Sequence, residues 1–202
     1  MKIQNKIMER NTTMKIQSAN QLIGAATGVI VCAGFGALWM VCALSVRQTL
    51  SLRTAAWIAP VLIVLVLGAL PLLLKAKHWP RVPADPAIRR AFLLANAAQW
   101  SGLFAVFFLF SRLHLDNYIF SASAAVVGLH FFPLARAFRS VTHYATGVAL
   151  VAWAAISVVS LPIEHLPSNT GFGTGLILWV SAAVILARTT KAVRQSTEFQ
   201  AA

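Results

Sequence analysis

The chain has 202 residues, of which 58% are hydrophobic and 11% are charged, whereas an average soluble domain has about 25% charged residues. A soluble fold of this length has too little interior to bury so much apolar surface, which excludes an ordinary globular protein. The net charge of +12 does not indicate nucleic-acid binding, because the basic residues lie beside apolar segments, where they meet anionic lipid. The expected solvent of this chain is therefore a lipid bilayer.

Six uncharged, mostly apolar runs follow one another along the chain. Each is long enough to supply the roughly 20 residues that a helix needs to cross the hydrocarbon core. None alternates apolar and polar residues as the strands of a membrane barrel do. We predict an all-α integral membrane bundle of six transmembrane helices, at approximately 22–46, 54–74, 91–111, 117–135, 142–162 and 169–187.

The distribution of basic residues predicts the orientation of this bundle. All 17 lysine and arginine residues except Arg47, Arg53 and Arg112 flank the same ends of the predicted helices. Because cytoplasmic flanks are enriched in lysine and arginine, we expect this side, and with it the N- and C-termini, to be cytoplasmic. Residues 1–21 are then a basic cytoplasmic segment, 22–187 the transmembrane domain and 188–202 a cytoplasmic tail. Since MKIQ recurs at Met14, that methionine is an alternative start.

The first and the last predicted helices carry glycines at the spacing that allows close helix packing. Gly24 and Gly28 are four residues apart near the start of the first helix, as are Gly171 and Gly175 in the sixth. Small residues at this spacing let helix backbones approach each other in lipid. We expect both helices to have close neighbours, and each to be a candidate partner of the other. Three tryptophans nearer mid-helix are expected to fill the core of the bundle: Trp100, Trp153 and Trp179.

Helices three and four contain the main candidate site. Asn96 and Gln99 share a face of helix three, and His130 lies at a similar depth of helix four, if the two helices are antiparallel neighbours. Pro133 follows His130 and cannot donate a hydrogen bond to the carbonyl of residue 129, which makes it a flex point. Ser123 lies on the face of His130, two turns away.

Two interpretations of this polar cluster stay open from the sequence. In one, its side chains form hydrogen bonds that only hold helices three and four together. In the other, they line a polar cavity that binds or passes a solute, since ionisable groups inside a membrane are functional candidates. The five acidic residues all lie outside the interior of the predicted spans, which favours a neutral or anionic solute over a coupled cation.

The stretch GLHFFPLA, which begins at Gly128, resembles one that uncharacterised bacterial multi-pass membrane proteins carry in a late helix. The similarity covers these residues and the general six-helix pattern. It implies kinship with that family and a bacterial cytoplasmic (inner) membrane location. It implies no activity, because the function of that family is unknown.

The predicted outer loops each pair a histidine with an acid. His114 and Asp116 lie in one loop, and Glu164 and His165 in the next. Imidazole and carboxylate groups are ligands for zinc or another divalent metal, so the four residues are a candidate metal site if the loops meet. Solvated loop ends or a simple ion pair between the loops are the alternatives.

Motifs of the common enzyme classes are absent from the sequence, which contains no Cys-x-x-Cys, His-Glu-x-x-His, Walker or Gly-x-Ser-x-Gly pattern. We therefore predict a protein that is not an enzyme and holds no cofactor. The expected function is that of a small-solute permease, channel or exporter component. The alternative is a non-transporting assembly or sensor subunit. Its expected partners are the bilayer, anionic lipids at the cytoplasmic face and a second copy in a homodimer, with no nucleic acid.

Overall fold

The computed structural model of the protein describes residues 18–83 and 85–201. Most of the predicted N-terminal segment at 1–21, including the alternative start at Met14, lies outside these residues. Within them the chain is helical and contains no strand, which confirms the all-α prediction. The helices are α1 (Ala19–Val46), α2 (Leu52–Ala76), α3 (Pro86–Arg112), α4 (Ile119–Phe138), α5 (Val141–Ser160) and α6 (Leu166–Ala201).

All six of these helices are long and apolar enough to cross a membrane. They are the six helices that the sequence predicts, and the bounds differ mainly where a helix continues into its polar flank. The largest difference is at the C-terminus, where α6 runs on through the predicted tail at 188–202 as far as Ala201. This architecture is that of a multi-pass membrane protein.

Polar residues at the helix starts account for several of the observed boundaries. Ser51 and Thr54 form a capping box at the start of α2, in which each side chain accepts a hydrogen bond from the other's backbone N–H. At the start of α3, Asp85 accepts from the backbone N–H of Ala87 at 2.8 Å, and Pro86 occupies the first helical position. Ser140 caps α5 by accepting from the backbone N–H of His143.

The helices form one bundle around α6. Its main neighbours are α1, α5 and α4, while α2 packs chiefly on α1 and α3 packs on α4. The backbone N–H of Ala19 donates to the carbonyl of Pro80 at 2.9 Å, so the start of α1 adjoins the α2–α3 loop. Likewise, Arg188 of α6 donates to the hydroxyl of Thr142 at the start of α5. We call this end of the bundle, with residues 75–90, 136–142 and 188–194, the basic end.

The peripheral position of α3 is the feature of the fold that bears most on the candidate site. All residues of α3 are described, and only Ala95 among them is buried. In a membrane, its apolar side chains face lipid on every side except the one that contacts α4. The predicted polar cluster therefore lies at the interface of the most peripheral helix of the bundle.

Candidate functional site

His130 makes the hydrogen bond that links α3 to α4. Its Nδ1 lies 3.1 Å from the carbonyl oxygen of Ala95, the one buried residue of α3. Because a carbonyl oxygen only accepts, Nδ1 carries the proton and donates it to Ala95. In the neutral ring, Nε2 is then an acceptor, and it has no hydrogen-bond partner within residues 18–83 and 85–201.

Two further residues of the predicted cluster line the same interface. Gln99 lies on α3 between Ala95 and Gly102, about one helical turn from each. Because Gly102 closely approaches Val126 of α4, Gln99 is on the face of α3 that contacts α4. Ser123 is about two turns from His130 on α4. Gln99 and Ser123 are both half-buried, and neither side chain makes a hydrogen bond to any residue that the structure describes.

Asn96 is placed differently from these residues. Its side-chain amide donates to the carbonyl of Phe92 in its own helix at 2.8 Å. The imidazole of His130 therefore bonds to a backbone carbonyl of α3, and the Asn96 amide bonds to its own helix. Asn96 and His130 nevertheless lie at a similar depth of the antiparallel helices α3 and α4, because His130 bonds to Ala95, the residue before Asn96.

Aromatic rings and a second histidine surround His130 towards the basic end. Phe131 lies between the two imidazoles, with ring centroids 5.7 Å from His130 and 5.9 Å from His143. The hydroxyl of Ser140 lies 2.7 Å from Nδ1 of His143. The ring of Phe138 then connects His143, at 6.0 Å, to Phe92 of α3, at 6.5 Å. This packing limits how far the imidazoles can move.

Pro133, the predicted flex point, lies on the exposed side of α4. The helix is continuous from Ile119 to Phe138, so the proline is accommodated without ending it. The helix ends at Phe138, and the next residue, Arg139, has a left-handed backbone with φ of 49°. Pro133 therefore adjoins the His130 cluster in sequence, but its ring points away from the protein interior.

Two surface cavities in the described part of the chain lie away from His130. One has a volume of about 550 Å³ and is bordered by Pro86, Arg89, Arg90 and Leu93 at the basic end of α3. The other has about 220 Å³ and lies on an apolar stretch of α1. The interface around His130 thus contains polar groups without partners but does not border either cavity.

The four candidate metal ligands do not come together. His114, Asp116, Glu164 and His165 are all exposed. Among residues 18–83 and 85–201, no group of three or more histidine, cysteine or acidic side chains is arranged to hold a metal ion. His114 lies two residues beyond the end of α3 in a left-handed conformation with φ of 56°, which indicates that this residue forms part of a turn.

The structure also contains a buried polar region that sequence reasoning missed. It lies where α4, α5 and α6 meet and consists of hydroxyl side chains. The hydroxyls of Ser121 and Thr170 are 3.2 Å apart, and those of Thr146 and Ser181 are 2.7 Å apart. The spacing of serine and threonine along α5 and α6, at four and seven residues, was the available signal for this region.

The fold and these sites define a multi-pass membrane protein with two polar regions, one at the α3–α4 interface and one among α4, α5 and α6. No protein-family model, no curated protein and no solved structure matches the chain. The kinship implied by the GLHFFPLA stretch accordingly stays a prediction.

Proposed function

We propose that this protein is a component of a small-solute permease, channel or exporter in a bacterial cytoplasmic membrane, with both termini in the cytoplasm. One observation carries the proposal. At the α3–α4 interface, the side chains of Gln99 and Ser123 and the Nε2 of His130 are half-buried and have no hydrogen-bond partner in the described chain. Unpaired polar groups are costly in a membrane, so this interface favours water or a solute as their partner.

The position of α3 supports the same proposal. Because α3 packs chiefly on α4 and has a single buried residue, its displacement would disturb few contacts elsewhere. The hydrogen bond from His130 to Ala95 is the polar contact across this interface. A solute that accepts or donates a hydrogen bond at His130 would compete with that contact and loosen α3.

The charges of the protein favour a neutral or anionic solute. The described acidic side chains within or beside the bundle, Asp85, Asp116 and Glu164, are exposed at helix ends. Coupled cation transport typically relies on a carboxylate inside the membrane. Arg89 and Arg90, which are exposed and border the cavity at the basic end, further favour the binding of anionic lipid headgroups there.

The second candidate function is that of a non-transporting assembly or sensor subunit, in which a second copy or another protein covers the exposed side of α3. The observation that favours it is the hydrogen bond of His130 itself, because a satisfied bond between neighbouring helices stabilises their packing. In this case the cluster would be dry and would bind no solute.

Thermal unfolding in nanodiscs distinguishes the two functions. Wild type, His130→Ala and the control His143→Ala would be heated with chloride, nitrate, phosphate, zinc, glycerol or urea. His143 is a matched control because it is also a half-buried histidine, but it bonds to Ser140 instead of lining the α3–α4 interface. A solute that stabilises wild type and His143→Ala, but not His130→Ala, supports the permease. If no solute shifts wild type and His130→Ala only melts lower, the subunit function is correct.

A further inference from the structure

Helices α5 and α6 present two facing stripes of polar side chains. On each helix these residues are separated by four or seven positions, which places them on one face because an α-helix has 3.6 residues per turn. The stripe of α6 runs from residue 170 to residue 188, a rise of about 27 Å, which is close to the roughly 30 Å of the hydrocarbon core. The residues are Thr142, Thr146, Trp153 and Ser157 of α5 and Thr170, Thr174, Ser181 and Arg188 of α6.

Three hydrogen bonds show that the stripes meet along their length. At the basic end, a guanidinium nitrogen of Arg188 donates to the hydroxyl of Thr142 at 3.1 Å. Further along, the hydroxyls of Thr146 and Ser181 are 2.7 Å apart. Towards the opposite end, the indole N–H of Trp153 donates to the carbonyl of Thr170 at 3.2 Å. We call the two stripes together the hydroxyl seam.

Two hydroxyls of this seam are buried without a partner. The Oγ of Ser157 and the Oγ1 of Thr174 make no hydrogen bond within the described part of the chain, and both residues are fully buried. A helical threonine often donates to the carbonyl four residues earlier. For Thr174 that carbonyl belongs to Thr170 and already accepts from Trp153. Buried hydroxyls in native proteins nearly always have a partner, and ordered water is the usual one where the protein supplies none.

Near its midpoint, the hydroxyl seam is apolar on both helices. Leu150 lies between Thr146 and Trp153 on α5, and Leu178 lies between Thr174 and Ser181 on α6. Both leucines are fully or almost fully buried and belong to the same apolar core. The Thr146–Ser181 contact sets the antiparallel register, which places these leucines at the same level. An apolar constriction between two polar segments closes a pore by excluding water.

We propose that the hydroxyl seam is a path for water that binds water at Ser157 and Thr174 and is closed by Leu150 and Leu178. Water is the ligand that fits, because the seam offers hydroxyl, indole and carbonyl groups that form neutral hydrogen bonds, a single guanidinium at its basic end and no carboxylate. The positive charge of Arg188 at the basic end opposes the passage of protons and cations. This path is separate from the α3–α4 interface and goes beyond the function proposed there.

Osmotic shrinkage of proteoliposomes, followed by stopped-flow light scattering in a sucrose gradient, tests the proposal. Wild type is expected to shrink at nearly the rate of protein-free vesicles, because the leucines close the path. Leu178→Ala is expected to shrink several-fold faster. Adding Thr174→Val to Leu178→Ala should restore the wild-type rate, since the isosteric valine removes the hydroxyl that binds water. Leu150→Ala provides a second opening variant if Leu178→Ala does not fold.

A matched control separates an opened path from a loosened bundle. Leu22 of α1 is equally buried but lies outside the seam, so Leu22→Ala should leave shrinkage at the wild-type rate. Proton entry, measured with pyranine trapped in the same vesicles, should stay at the wild-type level in Leu178→Ala. The proposal is overturned if both opening variants shrink like wild type, if Leu22→Ala shrinks as fast as they do, or if proton entry rises together with water flow.

Discussion

In the part of the chain that the structure describes, three residues other than glycine hold a left-handed backbone just beyond a helix end. They are Gln48, His114 and Arg139, with φ of 55°, 56° and 49°. In each case the next residue donates a backbone hydrogen bond to a carbonyl in the last turn of the helix, as Leu115 does to Phe110 at 2.8 Å. This is the C-terminal motif in which glycine is preferred, because a Cβ atom makes the left-handed conformation unfavourable.

His114→Gly is therefore expected to stabilise the protein. A left-handed residue with a Cβ costs about 1–2 kcal/mol, and the larger backbone entropy of glycine in the unfolded chain offsets about 0.5–1 kcal/mol of the gain. We expect the free energy of unfolding to rise by about 0.5–1 kcal/mol, measured by titration with a denaturing detergent. His114→Ala, which keeps a Cβ, is the control and should not stabilise. Equal stability of His114→Gly and His114→Ala would contradict this account.

Trp179 shows how one buried donor joins two helices. Its indole N–H donates to the carbonyl of Ala33 across the α1–α6 interface at 3.0 Å, and its side chain is 8% exposed. The prediction that mid-helix tryptophans fill the core is confirmed for Trp179. It is wrong for Trp100, which is 50% exposed, because it lies on the peripheral helix α3.

Trp179→Phe is expected to lower the free energy of unfolding by about 1 kcal/mol, since the ring remains but the hydrogen bond is lost. Trp57→Phe is the matched control, because Trp57 is 77% exposed and should tolerate the change. Thermal unfolding of both variants in nanodiscs provides the measurement. A similar melting temperature for the two variants would show that the bond to Ala33 contributes little.

At the scale of helices, glycines decide how closely α1 and α6 approach. A Cβ added to Gly175 would lie 2.7 Å from the carbonyl oxygen of Gly36, and one added to Gly36 would lie 3.0 Å from the carbonyl oxygen of Gly175. The expectation that the two helices pack on each other is thereby confirmed. Gly24 and Gly28, which have the same spacing in the sequence, have no atom within 4 Å of such a Cβ, so they contribute no close contact.

Gly175→Ala should accordingly destabilise the protein by about 1–3 kcal/mol, because neither backbone at the contact can move without separating the helices. Gly28→Ala makes the same chemical change in open space and is expected to leave stability unchanged or slightly raise it. Detergent-induced unfolding, monitored by helical circular dichroism, would compare the two variants. Equal losses in both would mean that α1 and α6 are not held by this contact.

At the scale of the whole molecule, the basic end is the expected cytoplasmic end. The α1–α2 loop around Leu50 lies at the opposite end, whereas Lys77 lies in the α2–α3 loop next to Pro80 and the start of α1. Positive charge is retained on the cytoplasmic side during membrane insertion. The two loops should therefore be reached from opposite sides of the membrane.

Cysteine labelling tests this orientation. With Cys32 and Cys42 replaced by alanine, Leu50→Cys should react with a membrane-impermeant maleimide in intact cells. Lys77→Cys should react only after the membrane is opened. The parent without cysteine is the control for background labelling. Labelling of Lys77→Cys in intact cells, with Leu50→Cys protected, would reverse the proposed orientation.

The candidate site could be predicted from the sequence only in part. Helical spacing predicts that Asn96, Gln99 and His130 lie at one depth, with Ser123 two turns away on the face of His130. The bond from His130 to Ala95 brings α3 and α4 together at that depth. The partner of His130 could not be predicted, because it is the backbone carbonyl of Ala95, and a backbone acceptor has no signature in the sequence. The hydroxyls of Ser157 and Thr174 were missed because serine and threonine are unremarkable in membrane helices until their neighbours are known.

The class of the protein, the number of its helices and their approximate positions could all be predicted from the amino-acid sequence. These properties depend on the length of apolar runs and on the charges between them, and both are local along the chain. The central position of α6, the peripheral position of α3 and the hydroxyl seam between α5 and α6 could be learned only from the packing of the helices. Lipid is as apolar as the helix surfaces, so helix partners depend on close packing and hydrogen bonds, and these depend on the rotation of each helix.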